Sequence, residues 1–124
     1  MNRMRARLKK GQSLVEFAIV LPLFLFVIMV ILDLGRAVYY YSAIHNAVRE
    51  GARYGVTDPS TVDIMNATQR LVTGLDVTPV VTITTDEIQV SIDYPYRAIT
   101  PVLFLITGSN TFTLHGQATM VREP

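Results

Sequence analysis

Gly11-Gln12-Ser13-Leu14-Val15-Glu16-Phe17 opens an apolar run that lasts from Phe17 to Leu32. The sixteen residues of that run span about 24 Å as an α-helix, short of a hydrocarbon core of about 30 Å. Counted from Leu14 to Leu34 the stretch has 21 residues and reaches about 31 Å, the length of a single membrane crossing. That fit places Glu16 close to the cytoplasmic headgroups and Asp33 close to the outer ones. A carboxylate at the edge of hydrocarbon is costly and usually has a partner. A plain anchor has no need of Glu16.

The flanks fix the orientation. Five of the eleven basic residues, Arg3, Arg5, Arg7, Lys9 and Lys10, precede Gly11. The rest of the chain carries six arginines against ten acidic residues, so the net charge of +1 hides an acidic body. A basic body that binds nucleic acid is excluded as the leading reading. The leader charges read instead as a topogenic signal that holds the N-terminus in the cytoplasm and sends the body across the membrane. Residues 1–10 are too short and polar to be expected to fold. The chain has no cysteine, which rules out disulfides, thiolate catalysis and cysteine zinc sites.

Three readings of the segment compete. A cleaved secretory signal fits poorly, because Leu32-Asp33-Leu34-Gly35-Arg36 offers no small-x-small cleavage site and the run is long for a signal core. An uncleaved anchor explains the length and leaves Glu16 idle. A prepilin-type leader explains both. In that pattern the cut falls on the cytoplasmic side after a glycine, and the fifth residue after the cut is Glu; here these are Gly11, Gln12 as the new terminus, and Glu16. Cutting removes the five leader charges and creates an α-ammonium on Gln12. Glu16, one turn later, lies where the helix dipole favours an anion. It can pair with an ammonium, its own or that of a neighbouring subunit, or reach out to interfacial water. Pro22 cannot donate to the carbonyl of Ala18, so a kink or hinge is expected there.

Helix is expected to continue from Asp33 to Gly55. Leu34, Ala37, Tyr41, Ile44, Val48, Gly51 and Gly55 fall at spacings of three and four, with Arg36, Tyr40, Arg49, Glu50 and Arg53 mostly elsewhere around the wheel. Ala43, Ala47, Gly51 and Gly55 form a small-residue stripe that admits a close neighbour, expected to be the chain's own sheet, with a second subunit as the alternative. Tyr39, Tyr40 and Tyr41 fit an interfacial belt, or Tyr41 is core and the other two surface. Arg49, Glu50 and Arg53 read as a solvated face with an i,i+3 pair. The whole helix is a rod of about forty residues, near 60 Å long.

These motifs carry a resemblance. Gly11-Gln-Ser-Leu-Val-Glu-Phe, Leu21-Pro22-Leu23, Asp33-Leu34-Gly35-Arg36 and Val48-Arg49-Glu50-Gly51-Ala52-Arg53-Tyr54-Gly55 resemble the TadE-like family, minor pilins or pseudopilins of tight-adherence (Flp) pilus systems. The likeness spans roughly residues 11–55; Phe17 stands where the family's motif often has Tyr. It implies processing by a prepilin peptidase, insertion in the cytoplasmic membrane, partnership with other pilins and the pilus assembly platform, and a role in pilus assembly and adhesion. By motif position it assigns processing to Gly11, Gln12 and Glu16, and an assembly contact to Gln12 and Glu16.

The remainder reads as a small α+β body. Asp58-Pro59-Ser60 ends the rod and opens a short helix, with Asp58 or Ser60 as cap, Pro59 in the first turn, an apolar side of Val62, Met65, Thr68, Leu71 and Val72, and a stop at Gly74. Val80–Thr84 and Ile88–Ile92 alternate around a Thr85-Asp86 turn, a hairpin whose second strand is expected to end at Pro95. Ala98–Ile106, interrupted by Pro101, is a short helix or buried loop packing on the sheet. Thr111–Val121 is a last strand, with a bulge expected near Gly116. The predicted fold is α+β and pilin-like, a long helix on a three-stranded antiparallel sheet, an arrangement reached partly through the family. Its divisions are a cytoplasmic leader at 1–11, a membrane helix at 12–35 and an extracytoplasmic domain at 36–124. His45 and His115 are seventy residues apart without a carboxylate at ligand spacing, and no phosphate loop or nucleophile elbow appears. Asp86-Glu87 is a hairpin tip, and Asn66-Ala67-Thr68 is a chance-level glycosylation match. No catalytic residue, cofactor, metal or small-molecule substrate is therefore expected. The rival class is an uncleaved single-span anchor carrying an extracytoplasmic binding or scaffolding domain.

Overall fold

The computed structural model describes residues 2–122, with side chains from Gln12 onward. Helix α1, Asn2–Thr57, is continuous through Pro22 and into the body. Its backbone is already helical from Asn2, where no structure was expected. Met, Arg, Ala, Leu and Lys are strong helix formers, and the leader has no Gly or Pro before Gly11, so the helix propagates backward from the span. Beyond its helical backbone Gly11 is not described, and the side chains of the leader bases lie outside the described residues.

The rest of the chain folds around the upper half of α1. Helix α2 (Thr61–Leu71) is followed by β1 (Val80–Ile83), β2 (Glu87–Arg97), the short helix α3 (Val102–Thr107) and β3 (Thr111–Val121). The three strands form one antiparallel sheet in the order β1-β2-β3. This is the expected α+β architecture, a long N-terminal helix against a three-stranded antiparallel sheet. The core joins Ile44, Ala47, Val48 and Ala52 of α1 to Ile64 of α2, to Ile88, Val90, Ile92 and Tyr96 of β2, and to Leu114 of β3.

Close approach explains the small residues. A methyl group on Gly51 would occupy the place of the Thr68 hydroxyl on α2, and one on Gly55 would lie 2.7 Å from Ile64 Cδ1 and 3.0 Å from Ile88 Cγ2. The small stripe thus receives the chain's own second helix as well as its sheet. Thr68 is buried because its hydroxyl donates to the carbonyl of Ile64 at 2.7 Å. Gly116 plays the same part on the sheet, where an added methyl would run into Ile44 Cγ2. The pairing from Glu87↔Val121 to Arg97↔Thr111 has constant register, so the bulge expected near Gly116 is absent; the glycine serves helix packing instead.

Several other expectations are corrected. Strand β2 does not end at Pro95 but runs through it to Arg97. Strand β1 accompanies β2 only as far as Val80↔Ser91, which leaves an open edge beside Pro95, where a missing N–H costs nothing. Pro59 precedes the N-cap Ser60 and lies outside α2, and Ser60 makes no side-chain cap; its own N–H donates to Asp58 Oδ1 at 3.3 Å. The inward face of α2 carries Ile64 and Thr68, while Val62 and Leu71 are exposed. On α1, Tyr41 and Leu34 are exposed and Tyr40 turns inward, its ring 5.4 Å from Tyr94 and 5.9 Å from Tyr96. The helical period of 3.6 carries the buried stripe from Ala37 through Tyr40 to Ile44, one residue off the spacing assumed. Helix α3 is short as expected but not buried: Phe104, Leu105 and Ile106 are exposed. The end of the sheet next to it is already filled by Tyr96 and α1, which leaves α3 projecting beside the helix.

Candidate functional site

From Gln12 to Leu32 every described residue except the half-buried Val30 is exposed on α1, and the body begins only at Asp33. Among the described residues, one helix is long and apolar enough to cross a membrane, and none of its apolar window is covered by the rest of the chain. An all-round apolar helix left bare is a surface made for lipid or for neighbouring helices. At its N-terminal end Gln12 Nε2 donates to Glu16 Oε1 at 3.3 Å, across one helical turn. Both side chains are exposed, so the carboxylate can exchange this weak partner for a stronger one. The side chains of Gln12 and Glu16 thus meet one turn apart, beside the Gly11–Gln12 bond.

The C-terminal end of the apolar segment is tied to the body by a cluster that periodicity did not reveal. Asp33 is 7% exposed. Its carboxylate accepts from the Ile99 amide at 3.0 Å, the Thr100 amide at 2.7 Å and the Thr100 hydroxyl at 2.7 Å. Its backbone carbonyl accepts from the Tyr96 hydroxyl at 2.9 Å. Burial, and then the negative charge of Asp33, push the Tyr96 phenol above its ordinary value and keep it a donor. Arg36 completes the group: Nη1 is 3.5 Å from Asp33 Oδ1, and the guanidinium lies 5.8 Å from the Tyr40 ring centre and 5.7 Å from that of Tyr96. The cluster therefore clamps the point where α1 leaves the apolar segment to the corner between β2 and α3. The signal was present in the sequence, since an aspartate at the edge of a span needs a partner. What hid it was distance along the chain.

The remaining polar candidates do not assemble into a reactive centre. Arg53 and Glu50 form the expected exposed pair at 3.9 Å. His45 stacks against Tyr41 with ring centres 4.2 Å apart. His115 is brought to Asp93 by the β2–β3 register, Nδ1 to Oδ1 at 2.6 Å, a pairing that linear spacing could not show. The Asp93 carboxylate, helped by Gln117, holds the imidazole above its ordinary value. No group of three or more metal-ligating side chains occurs among the described residues.

Comparison with known families bears on the helix. The family model described as TadE-like protein matches residues 11–53. No curated protein and no solved structure matches the chain. The matched segment includes the Gly11–Glu16 motif, the bare apolar span, Asp33 and Arg36, and the core residues Ile44, Ala47, Val48 and Ala52 of α1. The partners of Asp33 on β2 and α3 lie outside it. A TadE-like segment together with an exposed apolar N-terminal helix fits a pilin-like protein anchored by a single membrane pass.

Proposed function

We propose that this chain is the precursor of a minor pilin, or pseudopilin, that is processed by a prepilin peptidase between Gly11 and Gln12 and acts in the assembly of a tight-adherence pilus. The observation that carries this reading is the Gly11–Gln12–Glu16 motif at the mouth of a bare membrane-length helix inside a TadE-like match. The five basic residues before Gly11 support an orientation with the leader (1–11) in the cytoplasm, the span at 12–35 and the body at 36–124 outside. Removing the leader exposes an ammonium one turn from Glu16. In an array of parallel helices, Glu16 of one subunit then pairs with the Gln12 amine of the next and sets their register, because an ion pair at membrane depth tolerates little displacement. Other pilins, the assembly platform and the peptidase are the partners of this reading, and the protein is a substrate of enzymes and not one itself. After assembly it resides in the pilus or at the cell surface.

Mass spectrometry of the protein recovered from its own cell tests the processing step. Loss of 11 of the 124 residues leaves a chain of 113 that begins at Gln12. An intact leader on the membrane-inserted protein overturns the proposal in favour of an uncleaved anchor with a scaffolding body.

A further inference from the structure

The corner from Ile99 to Thr107 has features that the pilin reading leaves unused. Residues 98–114 contain no charged side chain. Within them Ile99, Phe104, Leu105 and Ile106 are exposed, the last two at 77%. The corner is not a remote part of the body. Leu103 and Ile106 line an apolar groove of about 190 Å³ together with Val30 and Leu34 of α1. Val30 lies within the span, three residues and about 4.5 Å deeper than Asp33. Helix α3 therefore runs beside the last turn of the membrane helix and not above it.

We propose that the Ile99–Thr107 corner is a second membrane-contacting element, seated in the outer leaflet of the bilayer that α1 crosses. The inference rests on the single-pass reading of α1. Depth argues for lipid as the occupant, because a surface level with Val30 meets the headgroup and upper acyl region, the 5–10 Å zone in which interfacial elements lodge. Several of the corner's polar groups are already engaged, which lowers the cost of placing it at that depth. The Ile99 and Thr100 amides and the Thr100 hydroxyl are taken by Asp33, and Pro101 has no N–H to satisfy. The Leu105 amide donates to Pro101, the Gly108 amide to Phe104 and the Thr107 hydroxyl to Leu103. Asp33 thus takes the donors that lead into α3 while fixing the corner against the helix, so that span and corner hold the body at a set height.

The absence of cysteine allows a direct test on the full chain. Single variants Leu105→Cys, Ile106→Cys, Leu25→Cys and Val121→Cys, all at exposed positions, are labelled with an environment-sensitive fluorophore. They are reconstituted in phosphatidylcholine–phosphatidylglycerol vesicles containing nitroxide lipids. The expected result is several-fold stronger lipid quenching at 105 and 106 than at 121, from shallow nitroxides, with 25 quenched from deep ones. Quenching at 25 but only the level of 121 at 105 and 106 overturns the corner's role and leaves the anchor standing. Absence of quenching at 25 overturns the anchor and the corner with it. Unquenched labels at 105 and 106, with oxidative cross-linking of the unlabelled cysteines between copies, overturn lipid as the occupant in favour of a second subunit.

Discussion

The carboxylate of Asp33 and the backbone amide of Thr100, 67 residues apart in sequence, are 2.7 Å apart in the fold. Through this contact the end of the apolar segment of α1 is joined to the corner between β2 and α3. Replacing Asp33 with Ala leaves the Ile99 and Thr100 donors without partners in a nearly closed site. Hydrogen bonds to a charged group contribute about 1.5–3 kcal/mol each, and stranded donors add to the loss, so destabilisation of about 3 kcal/mol or more is expected. Thermal unfolding of the detergent-solubilised protein measures it. Amide exchange at Ile99 and Thr100 should accelerate far more than exchange in β2. Unchanged exchange at both amides would show that the contact does not hold the corner.

Gly116 and Ile44 form a steric pair across the sheet–helix interface. Gly116→Ala should destabilise the body by about 1–3 kcal/mol, the usual range for overpacking. Ile44→Ala removes the obstructing methyl and opens a cavity of its own, at about 2–5 kcal/mol. The double variant should cost clearly less than the two single losses together, because the new methyl enters the vacated space. Strict additivity in urea unfolding would place the strain elsewhere.

The Asp93–His115 pair gives a pH dependence whose sign is fixed. The folded protein holds the imidazole above its ordinary value near 6.5, first through the Asp93 carboxylate. The pair's contribution is therefore fully present below the unfolded value and is lost as pH rises through the higher folded one. Both groups are exposed, so the effect on stability is small. NMR titration of His115 should give a midpoint above 6.5, and Asp93→Asn should bring it back down. A midpoint unmoved by that substitution would remove the carboxylate as the cause.

Glu16→Ala separates processing from assembly. On the proposed reading the cut depends on the Gly11–Gln12 bond, so leader removal should persist, while loss of the carboxylate proposed to pair with the Gln12 amine should reduce incorporation into pili at least several-fold. Immunoblots of sheared pili against membrane fractions read both outcomes at once. Normal incorporation would take the register role from Glu16.

Much of this architecture could be read from residue patterns. The rod from the apolar run to Gly55, the hairpin and the final alternating strand are local features, set by periods of 3.6 and 2. The misreadings cluster where a long-range partner decides. Pro95 looked like a strand end because the short reach of β1 along β2 cannot be seen in the β2 sequence. Gly116 looked like a bulge because the residue pressing on it, Ile44, belongs to a distant helix. Tyr40 and Tyr41 were exchanged because a single residue of drift over a long helix turns the buried stripe. Asp33 offered the clearest hint, a charge where charge is expensive, yet apart from Arg36 its partners Tyr96, Ile99 and Thr100 are more than sixty positions away, and two of those contacts are backbone amides, which no side-chain motif encodes.

The 46 residues of α1 from Gln12 to Thr57 form one uninterrupted shaft, about 69 Å long, with no linker between its apolar half and the half inside the body. Such a shaft has no slack. A pull or twist applied at the Gln12 end reaches Ile44, Val48 and the sheet they grip without first straightening a loop, and the body travels as rigid cargo. The weak point under load is then not a flexible neck but the Asp33 collar, which must slip before the body can tilt on its axle.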